Sequence, residues 1–298
     1  MLANGKSFSF FQLWRSATWH HADRAEHIGL PQETTVITRL RYEHRSGLKN
    51  GDSVTHDASQ VAWPEGSQSI SRAVELLAAV AKPDGHMVAL LGTNGNGKST
   101  LINAILGIVR VRSGSIILRR DGTSYPLHEM PTEAIIDLGV GIVPEGRRLF
   151  GNLSVRENLM LGAWRKTARA VLTRNLDAMY DTFPILRERA AQLVGTMSGG
   201  QQQMVAIARA LMTEPSILLI DEPSVGLAPA IVKQTIEQIR TLKESRGLTV
   251  LMAEQSFHQA TEISNSAYVI AHGEIVMSGD DMQSLGGNEA VRAIYSGA

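Results

Sequence analysis

The sequence contains no cysteine, which excludes disulfides and thiolate metal sites and fits a reducing compartment. It also lacks any apolar run near the roughly 18 residues that a membrane helix needs. Met87-Val88-Ala89-Leu90-Leu91 and Ile217-Leu218-Leu219-Ile220 are typical of the runs it does have. Any membrane attachment is therefore expected to pass through a partner. No basic segment leads into an apolar core at the start, so no signal peptide is read. Excess charge is missing too: 29 Lys and Arg balance 29 Asp and Glu. Phosphate neutralisation draws on a basic surplus, so no nucleic-acid partner is expected. Aromatics are scarce, at 5%. Seven of the fifteen lie in the first 63 residues of the chain, as Phe8, Phe10, Phe11, Trp14, Trp19, Tyr42 and Trp63.

What remains is ordinary globular composition over 298 residues, 43% hydrophobic and 19% charged, enough for one or two domains. Residues 1–66 show no sustained periodicity and hold turn pairs such as Asn50-Gly51 and Trp63-Pro64. They read as an atypical N-terminal segment, partly disordered, with residues 67–298 as the domain proper. There, short apolar runs alternate with amphipathic stretches, an α/β pattern. Buried strands are expected at 87–91, 115–118, 140–143, 216–220, 248–253 and 267–271. Helices are expected at 98–109, 154–165, 168–180, 200–212, 229–245 and 256–264. The stretch 267–277 reads as a hairpin-like edge around His272-Gly273. Residues 150–197 are mostly helical in pattern and read as a helical subdomain inserted in a nucleotide-binding core.

Gly92-Thr93-Asn94-Gly95-Asn96-Gly97-Lys98-Ser99-Thr100 matches G-x-x-x-x-G-K-[ST] between an apolar run and a helical pattern. The glycines permit a tight turn that aims successive N–H groups at phosphate oxygens, and a helix N-terminus adds partial positive charge there. Lys98 is expected to neutralise the β- and γ-phosphates, Ser99 to ligate Mg²⁺, and Thr100 to donate to the α-phosphate. Further on, Ile217-Leu218-Leu219-Ile220 ends in Asp221-Glu222. A buried parallel strand reads this way, and ligands bind beyond such carboxyl ends. Asp221 is placed for the Mg²⁺ shell, and Glu222 for polarising a water. Met197-Ser198-Gly199-Gly200-Gln201 opens an apolar helix with a second anion-binding start, although Ser-Gly-Gly also serves as plain capping chemistry.

This set, in this order, resembles the ATP-binding cassette family, whose signature is usually written Leu-Ser-Gly-Gly-Gln. The resemblance implies a P-loop nucleotide-hydrolase core with a helical subdomain and an antiparallel β subdomain. It implies ATP and Mg²⁺ as cofactors and a head-to-tail pair of cassettes. Ser198, Gly199 and Gly200 of one cassette then face the nucleotide held by the other. Val143-Pro144-Glu145-Gly146-Arg147-Arg148-Leu149-Phe150, Leu153-Ser154-Val155-Arg156-Glu157-Asn158-Leu159, Asp221 to Pro229 and Met252-Ala253-Glu254-Gln255 are similar to the ATP-binding subunits of branched-chain amino-acid importers. So is Asn288 to Tyr295. That similarity implies two ATPase subunits and two membrane permease subunits, with a periplasmic binding protein acting indirectly, at the cytoplasmic face of the inner membrane. It places Glu145 where the family usually has Gln, as an oxygen ligand to Mg²⁺, and Gln255 where it usually has His. Gln255 can donate to the γ-phosphate but does not titrate as His does. The family's adenine-stacking aromatic has no counterpart at the usual spacing, and Trp63 is the nearest substitute. Arg147-Arg148 reads as a solvated loop and His20-His21 as surface. The competing readings are the same role for urea or short-chain amides, a non-transport cassette ATPase, and a subunit that binds ATP without hydrolysing it.

Overall fold

The computed structural model describes residues 34–39, 75–80, 85–112, 114–281, 285, 286, 288 and 291. Two sheets organise them. Six strands form the larger one: β3 (His86–Leu91), β6 (Val140–Val143), β7 (Ile217–Asp221), β8 (Thr249–Glu254), β9 (Ser266–Ala271) and β10 (Glu274–Gly279). Their order is β10-β9-β3-β8-β7-β6. The five inner and far strands run parallel, and β10 pairs antiparallel on β9 at the edge. The strands read as continuous apolar runs because both faces are covered. Alternation then sorts their side chains. Met87, Ala89, Leu91, Leu218, Ile220, Val250 and Met252 join one buried cluster. Val88, Leu90, Ile217, Leu219, Leu251 and Ala253 join the other.

The second cluster also holds Leu101, Ile102 and Ile105 of α1 (Lys98–Ile105). Ile116 and Leu118 of β4 (Ser115–Arg120) close it from the far side. Strand β4 belongs to the four-stranded antiparallel sheet β2-β1-β4-β5, with β1 at Thr34–Arg39, β2 at Glu75–Val80 and β5 at Thr123–Pro126. Strand β1 pairs with β2 on one side and β4 on the other. The sheet thus includes a strand at residues 34–39, ahead of the expected domain start at 67. Its signal is present in Thr34-Thr35-Val36-Ile37-Thr38, a β-branched run suited to a strand. Trp63, His20-His21 and the aromatics before residue 34 lie outside the described residues.

On the opposite face of the larger sheet, the chain between β6 and β7 makes α3 (Val155–Gly162), α4 (Lys166–Ala170), α5 (Leu172–Thr182), α6 (Pro184–Glu188) and α7 (Gly199–Leu211). The short α2 (Thr132–Asp137) precedes β6. Helices α8 (Pro229–Arg246) and α9 (Phe257–Thr261) complete the set. Several expected elements are shorter than their apolar pattern. Helix α1 stops at Ile105 because Gly107 turns with φ +69°. The expected helix 168–180 divides at Val171, whose φ of −118° is not helical. Strand β5 and helix α2 were not foreseen, since each spans six residues or fewer and carries little periodicity. Among the described residues, no helix is long and apolar enough to cross a membrane.

Candidate active site

Strand β3 ends at Leu91, and the chain turns at once into Gly92–Gly97 before entering α1. Gly95 and Gly97 take φ of +82° and +98°, a region open to glycine without penalty. Gly92 is needed for a different reason: a Cβ there would stand 2.5 Å from the Ile270 carbonyl oxygen. Thr93 and Asn94 complete the turn, and Thr100 is half-buried one turn into the helix. Asn96 anchors the loop. Its Nδ2 donates to Thr93 Oγ1 at 2.7 Å, and its Oδ1 accepts from the His272 N–H at 2.8 Å. The Gly273 N–H also donates to the Asn96 carbonyl, at 3.2 Å. The β9–β10 hairpin turn thus fixes the loop from outside it.

Lys98 opens α1 and folds back under the loop. Its Nζ donates to the Gly92 carbonyl at 2.8 Å and the Thr93 carbonyl at 3.2 Å, and it stands 2.9 Å from Glu222 Oε1. Lys98 is 3% exposed and Glu222 9%, so each charge depends on its partners. Ser99, next on the helix, donates from Oγ to Asp221 Oδ1 at 3.0 Å. Strand alternation turns Asp221 to the same face as Leu219, where α1 lies. Glu222 then leaves the strand with φ +48° while its N–H donates to the Ala253 carbonyl. Burial pushes the Asp221 carboxyl up to about 6. The Ser99 hydrogen bond opposes that shift, the charges of Glu222 and Glu145 add to it, and Lys98 counters them. A buried carboxylate so disfavoured, with a hydroxyl beside it, is a hard-oxygen donor pair of the kind Mg²⁺ takes.

Other residues of the expected site stand apart from this cluster. Glu145 is exposed in the loop after β6. That loop is strained, with φ of +66° at Arg147 and +47° at Arg148. Sequence reading missed what holds it. Arg209 on α7 donates to the Arg148 carbonyl at 2.8 Å and the Arg147 carbonyl at 3.0 Å. Burial pulls its guanidinium below the usual arginine range. Arg147 Nε in turn donates to Gln203 Oε1 at 3.2 Å, so Arg147 is tied to α7 and not simply solvated. A lone Arg within the apolar stretch Met204–Met212 was the available signal. Ser198 is exposed and caps α7, its Oγ accepting from the Gln201 N–H and its own N–H donating to Gln201 Oε1. Gly199 follows, and Gly200 lets α7 approach α8, since a Cβ there would meet Ile231 at 2.4 Å. Gln255 is exposed just beyond β8.

The arrangement joins a phosphate cradle, a buried lysine, an oxygen donor pair and a second carboxylate at the carboxyl edge of a parallel sheet. Such a constellation handles a nucleoside triphosphate. The ABC transporter family model matches residues 79–225. The branched-chain amino acid transport ATP-binding protein BraG of Pseudomonas aeruginosa is 44% identical over 72% of this chain and 88% of its own length. The probable branched-chain amino acid transport ATP-binding protein LivF of Archaeoglobus fulgidus is 37% identical, over 65% and 80%. A solved ATP-binding cassette of an ABC transporter, in its ADP conformation, superposes with a TM-score of 0.64 at 19% identity, covering 91% of this chain and all of the other. The chain belongs to the ABC transporter family as an ATP-binding, ATP-hydrolysing subunit.

Proposed function

We propose that this subunit powers import of branched-chain amino acids, and that Lys98, Ser99, Asp221 and Glu222 carry the chemistry. The observation behind the chemical assignment is the meeting of Lys98 Nζ with Glu222 Oε1 beside the Ser99–Asp221 pair. Lys98 exchanges its carbonyl and carboxylate contacts for phosphate oxygens, which accept charge-assisted hydrogen bonds. N–H groups of Gly95 to Thr100 hold the remaining oxygens. Ser99 and Asp221, with Glu145 from the neighbouring loop, would hold Mg²⁺, which would supply positive charge to offset that of the phosphate oxygens. Glu222, released from Lys98, accepts the proton of the water aligned on the γ-phosphorus. Gln255 donates to the γ-phosphate from the end of β8. Ser198, Gly199 and Gly200 serve the nucleotide of a second ATPase subunit set head to tail. Two permease subunits anchor the pair to the cytoplasmic face of the membrane, and a periplasmic binding protein presents the cargo to them. The likeness to BraG and LivF supports the choice of cargo.

Steady-state hydrolysis by the wild type and Glu222→Gln tests the assignment. Loss of a general base costs about 10²–10⁴-fold, so the variant should bind MgATP like the wild type and turn over at least ~100-fold more slowly. A wild type no faster than the variant defeats the reading. For cargo, uptake of labelled leucine, valine and urea should show the first two restored by the wild-type gene in a deletion strain and not by the variant. Restoration of urea uptake alone would reassign the cargo.

A further inference from the structure

Strand alternation sends Glu254, the last residue of β8, to the face opposite Asp221, on the side of Val250 and Met252. It takes no part in the phosphate and Mg²⁺ assignment above. Its side chain is nevertheless 0% exposed. A carboxylate is expensive to bury unless its oxygens are satisfied. Here Oε2 accepts the Gln255 N–H at 2.9 Å and the Ser256 N–H at 3.3 Å. Oε1 accepts the Ser224 N–H at 3.2 Å. All three donors are backbone groups, so the carboxylate is an acceptor at every contact.

Those three bonds join two separate loops. One runs out of β8 and carries Gln255. The other runs out of β7 and carries Glu222, two residues before Ser224, in a left-handed backbone conformation that bulky residues avoid. The turn has local support from the Val225 N–H donating to the Glu222 carbonyl. Glu254 adds the link from this turn to the neighbouring loop.

We infer that Glu254 is a positioning residue that fixes Glu222 and Gln255 relative to each other, an inference resting on the roles proposed for those two residues. Its carboxylate meets backbone N–H groups only, so it would act through the two loops it joins. It sets the separation between the group that takes the proton of water and the group that donates to the γ-phosphate.

Glu254→Gln keeps the shape but supplies one carbonyl oxygen and one amide NH₂. Whichever way it turns, an NH₂ faces a backbone N–H and one loop is released. Glu254→Asp keeps the charge and the reach to its own neighbours, but its shorter stem leaves the Ser224 N–H behind. A misplacement of about 1 Å can cost up to ~10²-fold in rate. Both variants are therefore expected to lose about tenfold or more in kcat while KM and the Kd for MgATP stay within about twofold, the pattern of an interaction felt in the transition state. Hydrogen exchange should quicken at Ser224 in Glu254→Asp, and at Ser224 or at Gln255, but not at both, in Glu254→Gln. If Glu254→Gln does not fold, Glu254→Asp carries the test. Turnover within about twofold of wild type in the folded variants, or loss of MgATP binding in step with kcat, overturns the inference. If wild type outpaces Glu222→Gln but the Glu254 variants match wild type, this inference alone fails. An inactive wild type defeats the function reading, and this inference with it.

Discussion

The phosphate loop meets β7 through side chains that are nearly all buried and spoken for, whereas Ser198, Glu145 and Gln255 stand exposed at loop and helix starts. On the buried side, Lys98, Ser99, Asp221 and Glu222 are held in two close pairs. On the exposed side, order is imposed on the backbone and from behind: Arg209 on the Arg147 and Arg148 carbonyls, and a capping box on Ser198. A surface prepared in its backbone but open in its side chains suits contacts that come from another molecule. On the proposed roles, the first side carries nucleotide affinity together with the general base Glu222, and the second side serves turnover alone.

Lys98→Ala attacks the buried side hardest. It removes the charge aimed at phosphate and strands Glu222 without its partner. A hydrogen bond to a charged group contributes about 1.5–3 kcal/mol, so MgATP binding by isothermal calorimetry should weaken about 10- to 150-fold. Retention of wild-type affinity would break the assignment. Arg209→Ala attacks the support of the exposed side. Freed of its clamp, the Glu145 loop should relax from its left-handed conformation. Turnover is expected to fall about tenfold while the Kd for MgATP changes by less than about threefold. Equal losses in both would merge the two sides into one.

The pH dependence of Asp221 gives the smallest effect and the finest test of burial. Its carboxyl is raised to about 6 from an ordinary 3.8. A raised folded-state value means the folded chain holds the proton more tightly than the unfolded chain. The stability that comes from the protonated form is thus complete below the ordinary value and is lost as pH climbs through about 6. In metal-free, nucleotide-free protein, Asp221→Asn should flatten the fall in thermal midpoint between those values and leave the variant a few degrees more stable at about pH 7. An unchanged pH profile would show that Asp221 is solvated in the folded chain.

How much of this was legible in the sequence follows from what each residue has to do alone. The inner strands could be read because burial on both faces makes them continuously apolar, as in Ile217 to Ile220. The phosphate loop could be read because its chemistry is local, with glycines, lysine and hydroxyl packed into nine consecutive positions. Strand β1 was passed over because its six residues stand alone within a long N-terminal stretch that shows no sustained periodicity. Glu254 and Arg209 were passed over for another reason. Each acts on backbone groups far away in sequence, and only the paired strands and crossed helices bring those groups near. A carboxylate at the end of β8 looks in sequence much like Asp221 at the end of β7, yet alternation sends the two to opposite faces.

The division between affinity and turnover is tested most directly by Ser198→Arg, with MgATP binding and steady-state hydrolysis measured on the same folded preparation. Losing the helix cap costs about 1 kcal/mol of stability, which thermal melting can account for separately. The expected result is a Kd within about twofold of wild type with hydrolysis reduced at least ~100-fold, since on the proposed head-to-tail pairing only the contact to a second subunit's nucleotide is destroyed. Hydrolysis at the wild-type rate, or nucleotide binding lost along with it, would contradict the account.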